Sequence, residues 1–219
     1  MDDALPDGRY VFNRRGYGAH QAVTEFCRPG TRVLDVGCSV GHLMEHLQQQ
    51  LGCRTTGIDT DAAAVATARG RGLDVQHRAF DAEAVDDLSA SGPFDHVVLA
   101  DVLEHMADPA PVLALASRLL APDGSVVVSL PNIAYAGARL SVALGRFEYE
   151  DTGIFDRTHL RFFTVASGRR LVEEAGFRIV RTHYVGPLTH RIGRRALRLN
   201  DLRPGLLSRQ MVLEAVRAG

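Results

Sequence analysis

Residues 33–43 read VLDVGCSVGHL. The apolar run Thr31–Val36 (TRVLDV) predicts a first strand. The run breaks at Gly37, and from Val40 to Leu51 the apolar residues Leu43, Met44 and Leu47 recur on one helical face. Strand, glycine loop and helix in that order form the unit with which open parallel sheets hold nucleotides, beyond the carboxyl ends of their strands. Gly37 allows a sharp turn and close backbone approach. The spacing is not the dinucleotide G-x-G-x-x-G. An acid, Asp35, also stands just before the first glycine, where it repels a pyrophosphate but accepts hydrogen bonds from an ammonium group. A ligand with a nucleoside half and an amino-acid half suits this loop better than one built on phosphates.

The rest of the chain repeats the rhythm. Strands are expected at 54–58, 73–78, 95–100, 125–130, 177–185 and 207–217. Helices are expected at 61–69, with Asp61 as N-cap, and at 110–120, 134–144 and 164–175. The second strand ends in Gly57-Ile58-Asp59-Thr60-Asp61, which places Asp59 where an acid grips ribose hydroxyls. After Pro131-Asn132 the alternation stops, and residues 146–163 are irregular, aromatic and charged. Strands alternating with helices predict an α/β fold with a mostly parallel sheet between two helical layers.

Composition narrows the function. The chain has 219 residues, and its 25 basic residues, all arginine, nearly balance 26 acidic ones, for a net charge of −1. That argues against nucleic-acid binding by bulk charge. The absence of lysine excludes a lysine Schiff base and a P-loop lysine. Cys27, Cys38 and Cys53 are odd in number and match no zinc spacing, so neither a disulfide framework nor a structural zinc site is expected. The segment MDDALPDGRY lacks the apolar stretch of a secretory signal, and no apolar run is long enough to cross a membrane. A cytoplasmic location is expected, as a monomer or homodimer.

Five ordered segments, VLDVGCSVGHL (33–43), GIDTD (57–61), FDAE (80–83), DHVVLADVLEHMADP (95–109) and LLAPDGSVVVSLPN (119–132), together resemble class I S-adenosylmethionine-dependent methyltransferases. The similarity extends over about residues 30–185 and is strongest to a small bacterial group with a VLEH segment. The stretch DTGIFDRTHLRFFT (151–164) is similar to segments of that group, many of whose members are thought to act on sugars or specialised metabolites. The resemblance implies a Rossmann-like three-layer sandwich, its seven-stranded sheet closed by an antiparallel last strand beside the fifth. It implies S-adenosylmethionine as cofactor and S-adenosylhomocysteine as product. Asp35, Gly37, Cys38, Ser39 and Gly41 would surround the methionine half, Asp59 the ribose diol, and Thr60, Asp81 and Ala82 the adenine. Ala100, Asp101 and Leu103 would line the floor near the sulfonium. Many family members have glycine where this chain has Ser39.

Methyl transfer from a sulfonium requires alignment of the nucleophile and, for many acceptors, removal of a proton. Two groups of residues suit the second task. His105, in Asp101–His105 after the fourth strand, has the right intrinsic pKa. His159 stands among the acids Asp151 and Asp156 in the irregular segment and is the first choice of base. Asn132, Tyr149, Asp156 and Arg161 are expected to face the acceptor. Glu104 and His105 are two ligands, too few to argue for a metal. The expected divisions are a cap segment at 1–29 and a methyltransferase domain at 30–219, with a substrate-covering insertion at 133–163 and a basic connection at 186–205. In the cap, Tyr10, Arg14 and Tyr17 are candidates to cover the cofactor. In the connection, Arg191, Arg194, Arg195 and Arg198 recur at helical spacings. The expected reaction is methyl transfer to an oxygen, nitrogen or carbon of a small molecule. Aminocarboxypropyl transfer or cyclisation, releasing methylthioadenosine, and a non-catalytic scaffold role are the alternatives.

Overall fold

A computed structural model describes residues 18–187, 189 and 193–219. Seven strands form one sheet: β1 (Arg32–Val36), β2 (Arg54–Asp59), β3 (Val75–His77), β4 (Phe94–Ala100), β5 (Leu120–Pro131), β6 (Phe177–Val185) and β7 (Gln210–Arg217). Their order is β3-β2-β1-β4-β5-β7-β6. The first five pair in parallel, and β7 runs antiparallel between β5 and β6. The expected architecture, including the reversed strand beside the fifth, is the one found.

Period-two alternation divides the core between the two faces of the sheet. Val33, Val98, Val127 and Val212 turn to one face, under α1 (Ala19–Phe26) and α2 (His42–Leu51). Leu34, Val97, Leu99, Val126, Val128 and Leu213 turn to the other, under α4 (Ala82–Ala90), α5 (Ala110–Leu119) and α7 (Val165–Glu174). Val65, Ala68 and Leu73, around α3 (Ala62–Gly70), pack with Cys38 and Met44 as a third cluster. Burying strands on both faces explains why their sequences read as continuous apolar runs.

Helix starts follow their caps. Asp61 accepts from the Ala63 and Ala64 amides, and Thr164 and Ser167 form a reciprocal capping box. Helix α2 begins at His42 and not at Val40, because Gly41 sits at φ +80° and cannot join a right-handed helix. The last strand begins at Gln210 and not at Leu207, because Pro204 starts a short helix, α9 (Pro204–Leu207). Helix α4 has no counterpart among the expected elements. Asp81 is its N-cap, accepting from the Ala84 amide, and Ala84, Val85 and Leu88 are its buried stripe.

The expected boundary at residue 29 does not divide the packing. The described part of the cap segment is built into the core through Ala22, Val23 and Phe26, all fully buried. Arg181 of β6 fastens it, donating to the Glu25 and Phe26 carbonyls at the helix C-terminus, stacking over the Phe26 ring at 4.6 Å and pairing with Glu214 of β7. Tyr10, Arg14 and Tyr17 lie outside the described residues. Within 133–163, α6 (Ala136–Ala143) is followed by irregular chain. Within 186–205, Leu197–Leu202 (α8) is helical, Arg194 pairs with Glu25 at 3.4 Å, and Arg191 lies outside the described residues.

Candidate active site

The loop after β1 lies at the switch point of the sheet, where β1 has β2 on one side and β4 on the other. Open α/β sheets bind ligands in this crevice. The Gly37 and Cys38 amides donate to the Ile58 carbonyl, which folds the loop back over the end of β2. Gly37 has φ +72°, and a Cβ there would lie 2.7 Å from Val102 Cγ2, so only glycine fits both the turn and the packing. Asp59 completes the loop. Its Oδ2 accepts from the Ser39 amide at 2.7 Å and its Oδ1 from the Asp61 amide at 2.8 Å.

Ser39 has φ +48°, the left-handed region in which a side chain is strained. This is the physical reason that glycine suits the position. Ser39→Gly is expected to stabilise the protein by roughly 0.5–1 kcal/mol, since relief of left-handed strain exceeds the entropy glycine adds to the unfolded chain. The midpoint of denaturant unfolding measures it, and a lower midpoint for the variant would show that the serine is not strained.

Asp35 is 2% exposed. Burial, and then the charge of Asp59, push its carboxyl up to about 7. Folding therefore holds a proton on Asp35 that the unfolded chain gives up near pH 4. Stability is lost as pH rises between those two values, on the order of 4 kcal/mol across the window. Asp35→Asn is expected to raise the thermal midpoint at pH 8 and flatten this decline. Equal pH dependence in both proteins would show that Asp35 is not its source.

The second half of the site follows β4. Asp101, at φ +56°, donates its amide to Ser129 Oγ, and its Oδ1 accepts from the Ser129 hydroxyl at 2.6 Å and from the Gln210 amide. A 3-10 turn, Leu103–His105, comes next. The Glu104 carbonyl accepts from the Leu160 and Arg161 amides at 2.8 and 3.0 Å, which ties the irregular segment to this turn. The tie brings the His105 and His159 rings edge to face, 4.9 Å between centroids. Burial, and then the neighbouring His105, hold His159 below the usual histidine pKa. Burial, and then Asp101, push the Glu104 carboxyl well above the usual carboxylate range.

A cleft of about 930 Å³ opens here, lined by His20, Asp101, Glu104, His105, Asp156, His159 and Gln210 among others. It gathers both candidate bases and Asp156. Other expected site residues lie elsewhere. Asn132 is fully buried, its amide donating to the Gly205 and Ser208 carbonyls while its Oδ1 accepts from Ala134, so it braces the backbone instead of facing an acceptor. Arg161 donates twice to the Ala107 carbonyl, which turns its guanidinium outside this cleft. Tyr149 is 58% exposed and leans on Phe147. The Leu103 side chain is fully enclosed in the core, and the Cys38 side chain packs inward with Met44. Thr60, Asp81 and Ala82 are exposed at the ends of β2 and α4; Ala100 is partly buried at the end of β4. His20, Ser129 and Gln210 had no signal in the sequence, because only tertiary pairing brings α1, β5 and β7 to Asp101.

The methyltransferase-domain family model matches residues 12–182. Ubiquinone biosynthesis O-methyltransferases from Xanthomonas oryzae pv. oryzae and Xylella fastidiosa are 38% identical over 116 residues and 37% over 138. These matches take 52% and 56% of this chain and 48% and 54% of the relatives, so the chain spans about half the length of the curated relatives it matches. Among solved structures, the [4+2]-cyclase SpnF superposes with TM-score 0.62 at 19% identity, covering 96% of this chain and 89% of that one. An S-adenosylmethionine-dependent methyltransferase from Archaeoglobus fulgidus gives 0.59 at 19%, covering 90% and 94%. At such identity these likenesses show the fold alone, and the two proteins are named for different chemistries. The family match covers most of the sheet and both halves of the site, and on it the chain belongs to the methyltransferase-domain family.

Proposed function

We propose that the protein methylates a hydroxyl group of a small molecule with S-adenosylmethionine as donor. The observation that carries this reading is the pair of carboxylates at the switch point: Asp35, buried, and Asp59, held against the glycine loop. The residues suit the cofactor. Both influences on Asp35 disfavour its charge, and a ligand ammonium would restore it. Asp59, partly exposed at the end of β2, suits a diol. Bound there, the cofactor supplies an electrophilic methyl on a sulfonium.

The acceptor side belongs to the cleft beyond β4. Its volume of about 930 Å³ suits a small molecule. His159 Nδ1 lies 3.3 Å from the Ile154 carbonyl. That bond places the proton on Nδ1 and leaves Nε2 bare to take one from an acceptor hydroxyl. The relatives' names favour an oxygen acceptor, and a proton-taking histidine suits a hydroxyl better than an already nucleophilic amine.

The test incubates the protein with S-adenosylmethionine and a panel of phenols, sugars and hydroxylated metabolites, read by mass spectrometry. A gain of one methyl on oxygen, with S-adenosylhomocysteine released, is expected. Release of methylthioadenosine would replace this reading with aminocarboxypropyl chemistry. Failure to bind the cofactor at all would return the scaffold role.

A further inference from the structure

We propose that Glu104, His105 and His159 form a binding site for one divalent transition-metal ion of the zinc class at the acceptor end of the cleft. One ligand atom from each residue lies within 4.8 Å of the other two. Closure of about 1 Å brings such a set around an ion with metal–nitrogen bonds of about 2.0–2.1 Å. Two residues of the set are sequence neighbours on a 3-10 turn. The third comes from the irregular segment, brought over by the Leu160 and Arg161 amides that donate to the Glu104 carbonyl.

Two independent observations point to a cation. Glu104 is 1% exposed, lines the cleft, and its Oε2 has no hydrogen-bond partner. A buried carboxyl oxygen without any hydrogen-bond partner is costly, and a metal ion taking the place of the proton satisfies it. The imidazoles are also oriented from behind. His105 Nδ1 lies 3.2 Å from the Thr158 carbonyl and His159 Nδ1 3.3 Å from the Ile154 carbonyl. Metal-bound histidines show this arrangement, with Nδ1–H given to a carbonyl and Nε2 left for the ion. Behind His105 the support continues, since the Thr158 hydroxyl donates to Asp156 Oδ1 at 2.6 Å.

Two imidazoles and one carboxylate favour zinc, iron, cobalt or nickel over magnesium or calcium, which prefer oxygen donors. Three protein ligands leave positions open on the cleft side, as catalytic and not purely structural sites do. This inference rests on the methyl-transfer reading for its role. An acceptor hydroxyl in an open position would lose its proton to water more readily, keeping the lone pair on oxygen for attack. His159 would then act as a ligand and not as the base itself.

The test strips the full chain with a chelator and titrates it with Co²⁺ and Zn²⁺ alone, by calorimetry and by the cobalt ligand-field absorption. One ion per chain is expected, with a higher thermal midpoint in the metal. Glu104→Gln and His159→Ala should each weaken binding at least tenfold. Glu104→Gln keeps the shape of a buried side chain, and His159 is only half-buried, so a folding defect in one leaves the other to be read. Absence of cobalt absorption in the stripped protein, or equal binding by folded variants, overturns the site. S-adenosylmethionine is titrated into the same stripped protein. Cofactor binding without metal binding removes this site and leaves the methyl-transfer reading intact, while metal binding without cofactor binding removes only the latter.

Discussion

Asp59→Ala is expected to weaken S-adenosylmethionine binding by at least about 100-fold in calorimetric titration, and S-adenosylhomocysteine binding equally. Two losses add. The first is direct: a carboxylate on a diol makes two charge-assisted hydrogen bonds, each contributing about 1.5–3 kcal/mol. The second is organisational. Asp59 is the acceptor for the Ser39 amide, and Ser39 is held at φ +48°. Without that acceptor Ser39 is freer to relax toward a right-handed conformation, and the loop loses part of the shape proposed to receive the methionine half. Asp59→Asn keeps one acceptor oxygen and should fall between wild type and alanine. Equal dissociation constants for the wild type and the alanine variant, both freed of carried-over ligand, would remove Asp59 from the site.

His159→Ala should lower turnover by about 100-fold with acceptor saturating, while the thermal midpoint moves little. The pH profile carries the sharper information. His159 sits below its ordinary pKa, because burial and then the His105 ring disfavour the charged form. The neutral, working form therefore persists below pH 6.5, and the acid limb of kcat/KM should fall under that value. His105→Ala removes one of the influences holding the pKa down, so the limb should move toward higher pH. Turnover unchanged in His159→Ala would exclude the imidazole both as proton acceptor and as a functional ligand.

The glycine-loop half of the site is legible because it is local. Thr31–Val36, Gly37 and the Leu43, Met44, Leu47 face lie within two dozen residues and specify strand, loop and helix by pattern alone. Asp59 follows from the end of the next strand. Helix α4 is absent from the expected elements although its signals are present: Asp81 three residues before Ala84, then apolar positions 84, 85 and 88. Asp81, which the resemblance assigns to the adenine, is also the cap of this helix. The cleft beyond β4 is legible only as a cluster of residue types. Asn132 reads as a site residue because it is polar at the end of the fifth strand, and Tyr149 and Arg161 because they stand in the aromatic, charged segment that follows it. Their directions depend on tertiary partners, the Gly205 and Ser208 carbonyls, Phe147 and the Ala107 carbonyl, which no local pattern encodes. The meeting of His105 with His159 joins positions more than fifty residues apart, and it became visible only through the backbone bonds at Glu104.

The position of β7 sets the order in which a ribosome can complete this sheet. It follows the other six strands of the sheet in sequence, yet it lies between two strands synthesised before it, pairing Ser125 with Val216 and Pro131 with Gln210. Until it emerges, β5 and β6 each present a bare edge of unpaired amides and carbonyls, a template for another nascent chain. Closure must also bring together segments roughly 80 to 90 positions apart in the sequence, a slow kind of pairing. Gln210, the first residue of that strand, is the one that reaches Asp101. Support for the cleft is thus completed by the same late event that hides the sticky edges, and a nascent chain stalled before residue 210 should be both inactive and prone to aggregate.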